Sequence, residues 1–287
     1  MKKIRFKKLH LSRSTGGNFA NILFLCLLGS LMAVPLLFVV SNAFKPIDEL
    51  FLSPPRFWVQ NPTLDNIRDL FSIMDNSWVP MSRYFFNTLY VTAAGTALHV
   101  IFASMAAYVL EKHDFYGRKV FFSVVVMTLM FNATVTSIPN FVIMSAIKIV
   151  DTPLALIVPA IGSSLGLFLM KQFMTTVPDA MLEAARIDGA GELLIFFKII
   201  MPTVRPAWLT LIIFSSQSLW NTTGGVLIRT ESLKPLPYAL NQIMAGGFAR
   251  AGAASAVGLF LMVVPITIFV FSQSNILNTM SSSGIKE

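Results

Sequence analysis

Charge and metal-binding side chains are scarce in this 287-residue chain, and each scarcity removes a class of function. A single cysteine, Cys26, excludes an internal disulfide. Together with three dispersed histidines, His10, His99 and His113, it cannot supply the ligand cluster of a zinc site. No GxxxxGKS or GxxxxGKT phosphate loop occurs, so the chain has no P-loop for ATP. No nucleophile stands in a recognisable arrangement with a base, so no catalytic residue is assigned and no cofactor or metal is expected. Charged residues make up 13% of the chain, against roughly 25% in soluble domains. Acids are missing altogether from the long apolar runs, where proton- and ion-coupled carriers commonly hold carboxylates or histidines. Only His99 lies at such depth, and an interhelical hydrogen bond is the plainer reading of a lone intramembrane imidazole.

Apolar sequence is what the chain has in abundance: 55% hydrophobic residues and a mean hydropathy of +0.69. Six runs stand out, at about residues 19–44, 84–110, 119–147, 152–172, 204–226 and 252–275. Each reaches the ~20 residues with which a helix crosses ~30 Å of hydrocarbon. The runs are continuous rather than alternating, which favours helices over a closed barrel. The expectation is an all-α integral membrane protein with six transmembrane helices, the third kinked or broken at Pro139 and Asn140. The run ahead of Ser41-Asn42-Ala43 exceeds the ~7–15 residues of a signal h-region, so the first helix is expected to be retained.

Basic residues set the orientation. Fourteen of the 22 Lys and Arg residues fall on one side, in the 1–18 tail, after the second run, in the loop after the fourth and at the end of the chain. Eight fall on the other. The positive-inside rule then places both termini in the cytoplasm; the membrane is expected to be the plasma (inner) membrane of a prokaryote, which the loop after the fourth run implies by resemblance. The tail, with six cations and no acid, reads as a topology anchor beside anionic lipid rather than a nucleic-acid arm, and no nucleic acid is expected as a partner.

The loop after the fourth run is the most specific stretch: EAARIDGAGELLIFFKIIMPTVRP, Glu183–Pro206. Pro178 suits the first turn of a helix, with Asp179 near its positive end and Arg186 near its negative end. Gly189 is the expected left-handed stop. A second helix is expected from Glu192 to just before Pro202. A plain amphipathic surface helix is the competing reading. Ten positions (Glu183, Ala184, Ala185, Asp188, Gly189, Ala190, Phe196, Ile199, Pro202 and Pro206) resemble the EAA loop of ABC-importer permeases, with Met201 where Leu is usual. The segment 45–83, with Lys45-Pro46, Glu49-Leu50-Phe51, Pro54-Pro55 and Thr63-Leu64-Asp65-Asn66, resembles that of carbohydrate importers of the maltose type.

The resemblance implies a type I importer fold with its core over 83–273, a cytoplasmic coupling loop at 178–206 and a tail at 274–287. Glu183, Ala184, Ala185, Asp188, Gly189 and Ala190 would dock an ABC ATPase dimer, which supplies the energy for alternating access. A second permease subunit, forming a heterodimer, and an extracytoplasmic solute-binding protein are the other implied partners, with a sugar, expected to be an oligosaccharide, as cargo. The first helix would wrap the partner permease. Lys234–Ala249 would reach toward the binding protein, and Thr279–Glu287 toward the ATPase, its plainer reading being a disordered end. Two polar faces suit the translocation path: Asn132, Thr136 and Asn140 at every fourth residue, and Gln217, Trp220 and Asn221 at i, i+3 and i+4. Interhelical hydrogen bonding is the alternative for both. The Trp-Asn pair is common in sugar-importer permeases, but Thr222 stands where an acid often follows. Gly162-Ser163-Ser164-Leu165-Gly166 reads as close helix packing. Phe57, Trp58 and Trp78 suit the membrane interface, with an aromatic sugar platform as the alternative. An importer for peptides or amino acids, or a non-transporting scaffold, also stays open.

Overall fold

The computed structural model describes residues 15–75 and 78–283, and every regular element among them is helical. The basic 1–14 stretch and residues 284–287 lie outside it. The helices are α1 (Thr15–Ala43), α2 (Asp65–Asp75), α3 (Met81–Lys112), α4 (Arg118–Thr128), α5 (Ala133–Ala146), α6 (Leu154–Ile161) and α7 (Ser164–Met174). They continue with α8 (Asp179–Ile187), α9 (Glu192–Thr203), α10 (Arg205–Trp220), α11 (Leu236–Met244) and α12 (Ala251–Ser283). Four spans among the described residues are long and apolar enough to cross a membrane, Gly17–Ala43, Met81–Lys112, Leu154–Met174 and Ala251–Gln273, and the bent α9–α10 pair makes five.

The sixth expected crossing is where sequence and structure part. Run 119–147 is two helices, α4 and α5, broken at 129–132 rather than at Pro139. Asn132 causes the break: it stands outside the helix in extended conformation and its side chain accepts from the Thr134 N–H at 2.9 Å, an N-cap bond that starts α5 afresh. Pro139 lies inside α5. The fifth run closes early, at Trp220, because Gly224 and Gly225 turn the chain with φ of +78° and +48°. The last run continues to Ser283 instead of ending near 275, since neither Gly nor Pro interrupts it after Pro265.

At the centre lies α3, packed against α6, α7 and α10, with α12 closing on α10. Small residues permit the close approaches. A Cβ on Gly95 would stand 2.6 Å from Leu219 Cδ1, and one on Gly166 would collide with the His99 imidazole. Gly162, where a Cβ would make only ordinary contact with the Pro159 carbonyl at 3.7 Å, marks the α6–α7 break instead. His99 Nδ1 lies 3.0 Å from the Ile161 carbonyl, one of the acceptors orphaned where α6 ends. The interhelical hydrogen bond expected of His99 is therefore present.

Segment 45–64 has no core of its own and is held by buried polar groups, each satisfied as burial demands. Lys45, 2% exposed, donates to Asn42 Oδ1 at 2.8 Å and the Arg56 carbonyl at 2.5 Å. Glu49 accepts from the Gln60 and Asn61 N–H groups. Asn66 donates to the carbonyls of Asn42, Ala43 and Lys45. Trp58 and Trp78 stand exposed. In contrast, no residue in the apolar window of α1 is buried, and α1 joins the bundle through α12 near its C-terminal end.

Candidate functional site

The α8–α9 hairpin stands at the end of the bundle where α3 finishes. Pro178 precedes α8, and Asp179 opens it. The helix closes in a Schellman motif: Gly189 N–H donates to the Arg186 carbonyl at 3.0 Å and Ala190 N–H to the Ala185 carbonyl at 2.9 Å. This geometry needs a left-handed residue, and Gly189 supplies φ of +83°. The expected stop is thus in place. The expected end of α9 is not, because α9 runs through Pro202 to Thr203. A π turn at Phe196–Ile200 widens the ladder before the proline, and the chain bends by 81° into α10 at Val204.

One face of the hairpin is seated on the bundle. Leu182, Ala185, Ile195, Phe196 and Ile200 are buried with Ala107, Tyr108, Met174 and Leu211 in a single apolar cluster. Polar ties fix the angle. Tyr108 donates to Glu192 Oε2 at 2.6 Å, and Arg186 Nε donates to Glu192 Oε1 at 2.8 Å. Lys112 reaches across to the Val177 carbonyl at 2.6 Å and Asp179 Oδ1 at 2.7 Å. That bond, and then the lysine's charge, hold the Asp179 carboxyl below the usual aspartate range.

The other face is bare. Of the six expected coupling residues, Glu183, Ala184, Asp188 and Gly189 are exposed together, Ala190 is half-buried, and Ala185 packs inward. Ile187, 87% exposed, and Leu193 stand beside them, an apolar addition that the motif did not announce. A Cβ on Gly189 would have nothing within 4 Å. The hairpin therefore offers a crest of small side chains, flanked by apolar and acidic groups, held rigidly on α3. The bracing contacts of Tyr108, Lys112 and Glu192 escaped the sequence reading because they join residues 84 and 67 positions apart. The sole hint was a Tyr and a Lys closing an apolar run.

The expected path residues divide. Gln217 and Asn221 are exposed on α10, whereas Trp220 is 2% exposed and packed edge-on against Phe85. Around the helix Trp220 lies about 60° from Gln217 and about 100° from Asn221, so the burial edge falls between it and them. Asn221 also caps α10, donating to the Gln217 carbonyl at 2.8 Å. Asn132 is the N-cap of α5 and not on its helical face, while Thr136 and Asn140 remain there, half-buried. On the opposite end of the bundle from the hairpin, Asp151, with φ of +64°, accepts from the Arg229 and Thr230 N–H groups at 2.8 Å each and from the Thr230 hydroxyl. It pins the loop that leads to α11.

Comparison with known proteins agrees with this architecture. Residues 26–281 match the family model described as binding-protein-dependent transport system inner membrane component. The chain is 30% identical to the arabinooligosaccharides transport system permease protein AraQ of Halalkalibacterium halodurans, over 88% of this chain and 90% of that one. It is also 30% identical to the polygalacturonan/rhamnogalacturonan transport system permease protein YtcP of Bacillus subtilis, over 82% and 80%. Its fold is similar to that of a crystal structure of a bacterial ABC transporter involved in import of the acidic polysaccharide alginate, with a TM-score of 0.74 at 22% identity, over 91% of this chain and 98% of that chain. The chain belongs to the inner membrane component family of binding-protein-dependent transport systems, as a multi-pass permease.

Proposed function

We propose that this chain is one of two permease subunits of an ATP-driven importer of oligosaccharide, with the α8–α9 hairpin as its contact to the ATPase. The braced hairpin with its bare crest carries this reading, since a coupling element must be rigid toward its own bundle and open toward its partner. The names of the relatives supply the cargo class. The motif end of the bundle faces the cytoplasm together with both termini, as the basic residues require. Six crossings follow if α4 and α5 jointly make the third and α10 alone makes the fifth. The bare face of α1 and the thinly covered α5 lie against the second permease. Thr136, Asn140, Gln217 and Asn221 face the translocation path, and Lys234–Ala249, in the connection between α10 and α12, meets the solute-binding protein.

Two measurements test the proposal. In a Cys26→Ser background, an impermeant thiol reagent applied to spheroplasts should label Gln242→Cys and spare Gly191→Cys; the reverse pattern overturns the orientation. Deleting the chain should abolish uptake of labelled neutral or acidic oligosaccharides while amino-acid and peptide uptake persists. Loss of peptide or amino-acid uptake instead would assign another cargo.

A further inference from the structure

A second built surface lies at the motif end of the bundle, away from the hairpin crest. The turn between α3 and α4 and the end of α7 enclose an open cavity of about 930 Å³ lined by Arg118, Lys119, Lys171, Tyr116 and Phe122. Two of the three cations are already engaged. Lys171 pairs with Glu111 at 2.9 Å and lies 4.5 Å from the centre of the Phe122 ring. Arg118 bonds Asp114 at 2.7 Å and approaches Glu111 at 3.7 Å. Those pairs hold the walls in place and leave them close to neutral. Lys119 is exposed, and its ammonium has no partner among the described residues. The cavity therefore carries one uncompensated positive charge.

Position decides the ligand. Directly beyond Lys119, α4 presents Val120, Phe121, Val124 and Met127, all at least half exposed and apolar. A ligand seated here needs an anionic head at Lys119 and an apolar tail along α4. Tyr116, fully exposed at the tip of the turn, adds the amphipathic ring that marks a membrane interface. We infer that the cavity binds the head group of an anionic phospholipid of the inner leaflet, its phosphate on Lys119 and an acyl chain against α4. The inference rests on the proposed orientation, because only that orientation puts Lys119 at the cytoplasmic surface, where anionic head groups are attracted by lysines.

The test uses the full chain purified in mild detergent, with dioleoylphosphatidylglycerol and dioleoylphosphatidylcholine as probes. Retained lipid is counted by native mass spectrometry and thermal stabilisation is measured on titration. The expected result is selective retention of phosphatidylglycerol, weakened about five-fold in Lys119→Gln, the factor one cation near an anionic surface supplies, and further in Lys119→Glu. Equal retention of both lipids, or no change in either variant, overturns the proposal. Displacement of phosphatidylglycerol by inorganic phosphate also overturns it, by showing a soluble-anion site. Loss of co-purifying ATPase from Lys119→Glu complexes overturns it too, since the face would then be a subunit contact. Inverted thiol labelling would refute the orientation separately, even if the lipid selectivity were found.

Discussion

Replacing Gly189 with valine separates docking from folding. In the permease itself the substitution meets no steric obstacle, because a Cβ at Gly189 has nothing within 4 Å. What remains is the left-handed backbone, φ of +83°, which costs a non-glycine residue ~1–2 kcal/mol. A local cost of that size strains the Schellman turn without unfolding a bundle whose hairpin is seated through Leu182, Ile195 and Phe196. If the crest is the ATPase contact, two branched methyl groups must also fit between closely apposed surfaces, and overpacking of that kind costs ~1–3 kcal/mol more. Gly225→Val is the matched control, with φ of +48° and equally open space in another loop. Both variants should insert and pair with the second permease. Affinity purification from membranes should recover the ATPase with Gly225→Val and lose most of it with Gly189→Val, and transport should follow. Glu183→Ala should be mild by comparison, because exposed ion pairs are worth only ~0–1 kcal/mol. Recovery of a full complement of ATPase with Gly189→Val, with normal transport, refutes the assignment of this hairpin.

Gln217→Ala should reduce oligosaccharide uptake while leaving assembly and basal ATP hydrolysis unchanged; equal loss of assembled complex would mean that Gln217 packs rather than lines a path. Asp179 is held below its ordinary value by Lys112, so its stabilising effect is complete above the unfolded value of ~3.9 and disappears as pH falls through the lower folded value. Thermal stability in detergent should therefore show an Asp179-dependent decline only below about pH 4, and Asp179→Asn should remove that component. Gly166→Ala forces a methyl group into the His99 imidazole, with Leu211 Cδ1 at 3.0 Å on another side, and should lower stability by ~1–3 kcal/mol; His99→Ala in the same chain should recover part of the loss. Tyr108→Phe removes a bond to a carboxylate worth ~1.5–3 kcal/mol, and should keep the ATPase bound while lowering solute transported per ATP hydrolysed. An unchanged ratio would show that the brace has no part in coupling.

The legible part of the fold was whatever a local rule determines. Apolar length located the cores of the long helices, and a left-handed glycine located the end of α8. Asn132 and Pro139 show where such rules compete: proline carries the stronger breaking signal, but a capped asparagine seven residues earlier broke the run first. Trp220 shows a second limit. Its spacing from Gln217 and Asn221 puts all three on one side of α10, but the edge of burial against α3 is a tertiary fact. The six positions proposed for coupling came from the motif that this loop resembles, whereas the side chains that brace the hairpin come from the far end of α3. A periodicity cannot disclose a partner 84 positions away.

That brace bears on whether the hairpin can act as a lever. Driving a two-state bundle from 1:99 to 99:1 needs ~5.5 kcal/mol of differential binding, and the seat must resist a comparable load. Leu182, Ile195 and Phe196 are almost fully buried beneath the crest, at ~1.5–3 kcal/mol each. The Tyr108–Glu192 bond adds ~1.5–3 kcal/mol more. The seat is thus at least as strong as the load, so under the proposed coupling a displacement of the crest would move α3 before it detached the hairpin. The interruptions of the bundle lie elsewhere, at the 81° bend between α9 and α10 and at the α6–α7 break beside His99. If the hairpin is the lever, a pull on α8 would reach the middle of the bundle through α3, and the bundle would yield where its helices are already interrupted.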